Sequence, residues 1–483
     1  MRSAIIALAL LVPTAAWADA TADQAQSLER QLHDWVNGLV GQVVGIGDRP
    51  VHLTAEGDHF RVEIPMQAAA EAVGFDAANA TITATARPLS GGRWSLDDIR
   101  IPASVHLTGG TDPAIDWSMK VADQQSSAVI DPSLATASSF DADIRGQTST
   151  TAGSDGEHTS QIDHYVAHSV WMPTGDGRMD VLANTTGDKL AMSQTLPDGS
   201  PVNWSAEHVQ NNVRVDALAA ASFGSIVRTV MDMVPVAMSM QQSGPPPDGL
   251  PPDARKAART VVLQVLDLWS GFSVDETMDR VHLEAAGHEG SLTRFDFGFA
   301  GGTRQGKMDL HMNLAVDGLE SPEIPAGPLR DFMPHHIALK PRLSGVPMQE
   351  TRQLVLRAID SDGANAGELV EQATALLHKA PVTVGVDNVE LDLGSSRLRG
   401  GGEVRIAAAN EMSGHADITV VGLDGLMKQV AAVPELKQAM PFLILAKGLG
   451  HQEGNATSWK IVYSGKKITV NDNDLSSMLP KGK

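Results

Sequence analysis

The sequence predicts an α+β fold in which antiparallel β-meanders form curved sheets and amphipathic helices pack on one face. Three observations support this prediction. From about Val51, apolar and polar residues alternate with a period of two, as in half-buried antiparallel strands. Gly, Asp, Asn and Pro separate these runs at turn-like positions. Longer segments between them carry apolar residues at helical spacing.

The N-terminus predicts export. A basic start at Met1-Arg2 precedes an apolar run from Ala4 to Val12, and Ala16-Trp17-Ala18 has the small-x-small pattern of a cleavage site. We therefore expect residues 1–18 to be a signal peptide, with cleavage near Ala18-Asp19 and a periplasmic mature protein. The apolar run is shorter than the ~20 residues of a spanning helix. We expect no integral membrane segment in the mature chain.

Composition excludes several classes of function. The chain has 483 residues, a formal net charge of −21 and no cysteine. The charge argues against nucleic acid as a partner, because affinity for phosphates comes from Lys and Arg. Zinc–thiolate sites, thiol catalysis and disulfides are excluded by the missing cysteines.

A proline-rich segment divides the chain. Residues 241–252 read QQSGPPPDGLPP, and proline at this density does not continue a helix or a central strand. We expect a semi-rigid connector there. It would join an N-terminal α+β domain at residues 19–240 to a C-terminal α+β domain at residues 253–483.

The apolar spacing predicts helices at Ala22–Val40, Asp216–Val234 and Asp253–Trp269. The clearest strand is Met308–Val316, in which every second residue is apolar. The apolar segment Pro441–Ala446 is too short to cross a membrane, and we interpret it as core.

One arrangement occurs three times. A strand, a turn of small residues and an amphipathic helix follow one another at Val213–Val234, Ile337–Ile359 and Ala416–Val433. In the second of these the turn is expected at Ser344-Gly345 and the helix from Met348; in the third the helix is expected from Leu426. A repeated meander-plus-helix unit would explain the recurrence. Strand–turn–helix is also common in unrelated folds, so both interpretations stay open.

Candidate chemical motifs fail on spacing. Residues 301–307 have the spacing of a phosphate-binding loop, but Met308 stands where Ser or Thr would hold magnesium, so we expect a hairpin turn. His164 and His168 lie on a strand-like pattern, which would separate them by ~13 Å. Asn471–Asp474 begins like a calcium loop but lacks its later Gly and Glu, and we expect a polar tail there.

The C-terminal segment resembles known proteins. It contains GGGEVRI from Gly400, MSGHADI from Met412, GLDGL from Gly422 and a Ser464-Gly465 turn before a last strand. These stretches resemble a family of uncharacterised exported proteins of alphaproteobacteria and are more loosely similar to AsmA-like envelope proteins. The resemblance implies a long curved sheet and a role in handling lipid or organising the envelope. It covers about a sixth of the chain and transfers no functional residue.

The sequence is compatible with two functions. The first is a periplasmic, non-catalytic protein that binds an apolar ligand or lipid in envelope maintenance. The second is a structural or protein-interaction module of the cell envelope with no small ligand. We expect no enzyme activity, no catalytic, cofactor-binding or metal-binding residues, and no cofactor; the partners would be lipid or envelope proteins.

Overall fold

The structure is a computed structural model, and it describes most of the chain after the predicted signal peptide. The described residues are 22–36, 51–72, 75–78, 80–109, 115–131, 136–153, 156–196, 199–219, 222, 225–226, 229, 251–265, 267–324, 327, 330–361, 366–407, 412–465 and 467–476. The predicted signal peptide and the connector up to position 250 lie outside them.

The described strands belong to one sheet of 23 strands, in which every pairing is antiparallel. In the first half the strands are β1 His52–Glu56, β2 His59–Pro65, β3 Phe75–Ala78, β4 Thr81–Pro88, β5 Trp94–Arg100, β6 Ser104–Gly109, β7 Ile115–Lys120, β8 Asp123–Asp131, β9 Thr136–Gly153, β10 Gly156–Gly175, β11 Arg178–Thr195 and β12 Pro201–Ala219. In the second half they are β13 Gly271–Ala285, β14 His288–Arg304, β15 Lys307–Asp317, β16 His336–Pro347, β17 Val382–Asp392, β18 Arg397–Ile406, β19 Met412–Val421, β20 His451–Glu453, β21 Ala456–Ser464, β22 Lys467–Val470 and β23 Asn473–Asp474.

From β9 onward the sheet is a meander. Each strand from β9 to β19 pairs with the next along the chain, and β19 then pairs with β21. The other edge of β9 carries two arms: its first part pairs with β8, which leads through β5, β4 and β2 to β1, and its last part pairs with β7, which leads through β6 to β3.

The described helices are α1 Ala22–Val36, α2 Gln67–Ala72, α3 Pro252–Val265, α4 Met348–Asp360, α5 Ala366–Lys379, α6 Leu423–Ala432 and α7 Met440–Leu449. The helices α3, α4 and α5 lie at the end of the sheet that holds the β14–β15 turn, because they connect strands that start or finish there. Polar contacts join them, such as the ion pair of Arg259 with Asp360 at 2.5 Å. The helices α6 and α7 lie at the opposite end, between β19 and β20.

The sheet crosses the predicted domain boundary. The strands β12 and β13, one from each predicted domain, pair at 13 positions between Val202–Ala285 and Asp216–Gly271. The chain on both sides of the proline-rich segment therefore contributes to one hydrogen-bonded sheet. The division into two domains stays a prediction.

The predicted elements are confirmed in part. An antiparallel meander is present, and the strand predicted at Met308–Val316 is β15. The helix predicted from Met348 is α4, although β16 continues through Ser344-Gly345 to Pro347. The helix predicted from Asp216 is wrong at its start, because β12 runs to Ala219; most of the remaining helix lies outside the described residues.

Other predictions remain open or shift slightly. The helix predicted from Leu426 begins at Leu423, and the helix predicted to reach Trp269 is described to Val265. The repeated unit, the curvature of the sheet and the packing of all helices on one face stay predictions.

A row of irregular positions crosses the central strands. Its members drop out of the regular pairing: Gly146, Asp163, Lys189, Glu207, Arg280 and Thr293. On alternate strands the backbone is left-handed, with φ of +58° at Gly146, +48° at Lys189 and +50° at Arg280. Such interruptions bend strands and increase their twist. Lys189 and Arg280 are not glycines, so this left-handed conformation costs ~1 kcal/mol or more at each of them.

Candidate functional site

The two faces of the meander differ in chemistry. Residues that pair across antiparallel strands point to the same face, so the register assigns each side chain to a face. From β13 to β17 one face, here called the apolar face, consists of Phe272, Val274, Met278, Phe295, Phe297, Phe299, Met308, Leu310, Met312, Leu314, Val316, Ile337, Leu339, Leu343, Val346, Val384, Val386, Val389 and Leu391. Polar and charged side chains dominate the opposite face, here called the polar face.

Near the N-terminus the same face forms a closed core. There Phe60 and Val62 are 1% exposed, and α1 packs on the strands through Leu28 and Leu32, which are fully buried. The ring of Phe60 meets that of Trp94 edge to face, at 5.8 Å between centroids. This part of the apolar face is therefore an ordinary two-layer core.

Between β13 and β17 the apolar face is not closed in this way. Every apolar side chain that defines it there is at least partly exposed, including all three phenylalanines of β14. Val384 is 44% exposed. A closed core of this size would bury most of these side chains completely. The described residues therefore leave a broad apolar surface in partial contact with solvent.

Aromatic side chains are concentrated at one end of this surface. Trp269 meets Phe272 at 5.5 Å between ring centroids, and Phe272 meets Phe299 at 5.2 Å. Near them, α3 covers the end of the face through Val265, which packs with Trp269 against a cluster of buried side chains that includes Met179. Helix cover at this end is local and leaves β14 to β17 partly exposed.

Toward β11 the surface becomes mixed. Thr185, Asn211 and Glu276 occupy neighbouring positions of the same face on β11, β12 and β13. The purest apolar region therefore lies on β14 to β17.

Ion pairs border the apolar face on its central strands. Lys189 contacts Asp163 at 2.9 Å, and Arg280 contacts Glu207, all four within the irregular row. The Lys189 ammonium group holds the pKa of Asp163 below its usual value, and the same hydrogen bond raises the pKa of Lys189. On the apolar side of this border, burial raises the pKa of Tyr165.

Beyond the border lies a depression of about 470 Å³, lined by hydroxyl and amide side chains together with Met192 and Trp204. Two of its polar side chains are connected: Ser193 donates a hydrogen bond to Asn203 at 2.7 Å, and Asn203 donates one to Glu284 at 2.9 Å. The central strands thus carry a mixed apolar zone, a border of ion pairs and a depression that offers hydroxyl and amide groups, in that order. This order matches a molecule with an apolar body and a polar group at one end.

A separate cavity of about 310 Å³ lies beside the N-terminal core. Its lining is Val62, Ile64, Met66, Ile82, Thr83, Ala84, Leu96, Ile99, Ile101, Gln124, Ser126, Phe140 and Ile144, none of which is titratable. The amide of Gln124 is occupied by the backbone of Ile101, which it both donates to and accepts from. The cavity offers apolar surface and no group suited to acid–base chemistry.

The polar face carries a charged row in which residues lie directly opposite one another on successive strands. The row is His164, Asp188, His208, Asp279, Arg294, Asp317, His336, Asp392 and Arg397, from β10 to β18. Basic and acidic residues alternate along all of it. Opposite charges facing each other across strands stabilise a sheet by ~0.2–1 kcal/mol per pair and oppose other registers.

The histidines singled out from the sequence belong to this polar face. His164 contacts Asp143 at 2.9 Å and His168 contacts Asp141 at 2.6 Å, so each has its own carboxylate on β9. Their placement on a strand is confirmed. Among the described residues, no group of three or more His, Asp or Glu has an arrangement that could hold a metal ion.

The two other motifs form turns. Gln305-Gly306, with φ of +53° and +75°, connects β14 to β15, so the expected hairpin at residues 301–307 is confirmed. Asn471 and Asp472 also have positive φ and connect β22 to β23, so the expected polar tail is wrong at this point. Residues 477–483 lie outside the described part of the chain.

Comparisons with protein-family models, with curated proteins and with solved structures found no match. No helix among the described residues is long and apolar enough to cross a membrane. The candidate site therefore has to be interpreted from its own chemistry. Sequence reasoning named no site residue, although the alternation in β15 already showed one of the strands that build the apolar face.

Proposed function

We propose that this is a non-catalytic protein of the periplasm that binds lipid, with acyl chains lying along the apolar face of the meander. The observation that carries the proposal is the partial exposure of every apolar side chain of that face between β13 and β17. Water contact with so much apolar surface is unfavourable, at ~25 cal/mol per Å². Exposed apolar surfaces larger than a few hundred Å² mark binding sites.

The chemistry around the face supports an amphipathic ligand. The apolar strands offer aliphatic and phenylalanine side chains, which suit hydrocarbon. The Lys189–Asp163 and Arg280–Glu207 pairs and the hydroxyl and amide groups of the depression beyond them offer partners for a polar head. A lipid has both parts, whereas a purely apolar ligand would leave the charged border unused.

Export supports lipid of the envelope as the source. The proposal takes residues 1–18 as a signal peptide removed before Asp19, as the sequence pattern indicates. Binding rather than catalysis is proposed because the apolar cavity has no titratable lining, and the histidine–carboxylate pairs named above lie on the opposite, polar face.

Extraction of lipid from the purified protein tests the proposal. The protein is expressed with its signal in a Gram-negative host, purified without detergent, extracted with organic solvent and analysed by mass spectrometry. We expect lipid in stoichiometric amount. A variant with Phe297→Asp should lose most of it, because a carboxylate in contact with hydrocarbon is strongly unfavourable.

The matched control is His311→Asp, which places the same charge on the polar face of the adjacent strand at an exposed position. This variant should retain the lipid. A protein that is lipid-free and also fails to bind a fluorescent fatty acid would contradict the proposal and favour the interaction module.

A further inference from the structure

Helix α7 exposes large apolar side chains to solvent. Phe442 is 74% exposed, Ile444 58% and Leu445 49%. Pro441, one residue earlier, is also exposed. The interpretation of Pro441–Ala446 as core is therefore wrong: these side chains form the outer surface of the helix.

The other side of α7 is attached to the sheet. Trp459 on β21 donates a hydrogen bond from Nε1 to the carbonyl oxygen of Ala446 at 2.7 Å. Trp459 pairs with Ile418 of β19, and both belong to the apolar face. The exposed surface of α7 therefore lies beside the apolar face, on an element that the sheet holds in place.

The exposed apolar surface of α7 is too small for a stable protein–protein interface. A stable protein interface buries ~800 Å² per partner and involves 20–30 residues on each side. Three exposed large side chains on a ten-residue helix fall far below this. A helix of ten residues is ~15 Å long, too short to cross a bilayer but long enough to lie in its interfacial region.

The charge around α7 also differs from the rest of the chain. The segment from Leu423 to Leu449 contains three lysines and two acidic residues, so its formal net charge is +1, whereas that of the whole chain is −21. Lys428 and Lys437 are exposed, and Lys447 pairs with Asp424. Basic residues beside an apolar helix surface favour anionic lipid headgroups.

We propose that α7 inserts Phe442, Ile444 and Leu445 into the interfacial region of an anionic phospholipid bilayer. This docking holds the neighbouring edge of the apolar face against the membrane. The proposal rests on the exposed side chains of α7 and does not require that the apolar face holds lipid.

A fluorescent label tests the insertion directly, because the chain has no cysteine to interfere. Phe442→Cys is labelled with an environment-sensitive nitrobenzoxadiazole dye and mixed with vesicles of phosphatidylethanolamine and phosphatidylglycerol. The matched control is Val370→Cys on α5, at a position that is 65% exposed. We expect a blue shift and a several-fold rise in emission at position 442 and no change at position 370.

Vesicle flotation measures the energetic contribution. Replacing Ile444 and Leu445 by serine should weaken vesicle binding about 30-fold, because roughly half of each side chain loses its apolar contact. Val370→Ser should bind like the unmodified protein. Circular dichroism establishes that each variant is folded.

Three results would overturn the proposal. The first is an unchanged emission at position 442 when vesicles are added. The second is equal vesicle binding by the double serine variant and the unmodified protein. The third is a blue shift without vesicles that grows with protein concentration, which would identify a second copy of the chain as the occupant.

Discussion

Replacing Phe60 and Phe297 by alanine distinguishes a closed core from an open apolar face. Phe60 and Phe297 both lie on strands of the same continuous face, but Phe60 is 1% exposed under α1, whereas Phe297 is partly exposed on β14. The same replacement by alanine at each position changes strand propensity equally. The difference between the two variants then reports how completely each side chain is enclosed.

The expected magnitudes differ clearly. Phe60→Ala should lower the free energy of unfolding by ~3–5 kcal/mol, because it leaves a cavity among buried neighbours. It also removes the edge-to-face contact with Trp94, a contact of a type that contributes ~0.5–1.5 kcal/mol of that loss. Phe297→Ala should cost ~1–2 kcal/mol, because only part of the ring is withdrawn from water and the space it leaves opens to solvent.

Urea unfolding followed by circular dichroism measures both changes on lipid-free protein. The loss for each variant is the shift in transition midpoint multiplied by the slope. An equal loss of ~3–5 kcal/mol at both positions would mean that Phe297 lies in a closed core, and the open-face interpretation would then be wrong.

Two further predictions concern the charged row and the proline-rich segment. Hydrogen bonds from Arg397 and the Gly394 amide hold the pKa of Asp392 below its usual value, so its stabilisation is present above the unfolded pKa of ~3.9 and is lost as pH falls through the lower folded pKa. Asp392→Asn should therefore reduce the loss of stability between about pH 5 and pH 3 relative to the unmodified protein. Identical acid titrations for the variant and the unmodified protein would contradict this prediction. Limited proteolysis between residues 241 and 252 should yield two fragments that elute together on size exclusion, because β12 and β13 remain paired, and fragments that separate without denaturant would count against one continuous sheet.

Local features of the fold could be predicted from the sequence. The strand β15 follows from strict alternation between Met308 and Val316, and its hairpin with β14 follows from a Gln-Gly turn that requires left-handed backbone. Both signals lie within a dozen residues of the elements they define. The alternation and the turn residues therefore predict these elements without information from distant parts of the chain.

Register could not be predicted in this way. His208 lies opposite Asp279, and Asp317 lies opposite His336, but the residues between them in the chain give no signal of which positions will face each other. The charged row exists only once nine strands are aligned. The same alignment defines the apolar face, which is why the sequence showed apolar strands without showing one continuous surface.

Burial was the hardest property to predict. Pro441–Ala446 has the composition of core, yet Phe442 is 74% exposed, whereas Phe60 lies between the polar residues His59 and Arg61 and is 1% exposed. The difference comes from what packs against each side chain, not from the segment itself. At β12, Val215 and Leu218 fit either a strand or a helix, and pairing with β11 and β13 decides for the strand.

Photo-crosslinking in the periplasm tests whether lipid lies on the apolar face. Phe297→Cys and His311→Cys place a benzophenone label on the apolar and polar faces of adjacent strands, and both proteins are expressed in the periplasm, labelled and irradiated there. Mass spectrometry of the intact proteins then reports covalent adducts. We expect adducts with the mass of envelope lipids at position 297 and none at position 311. Equal yields of lipid adducts at the two positions, or no lipid adduct at position 297, would contradict lipid binding on the apolar face.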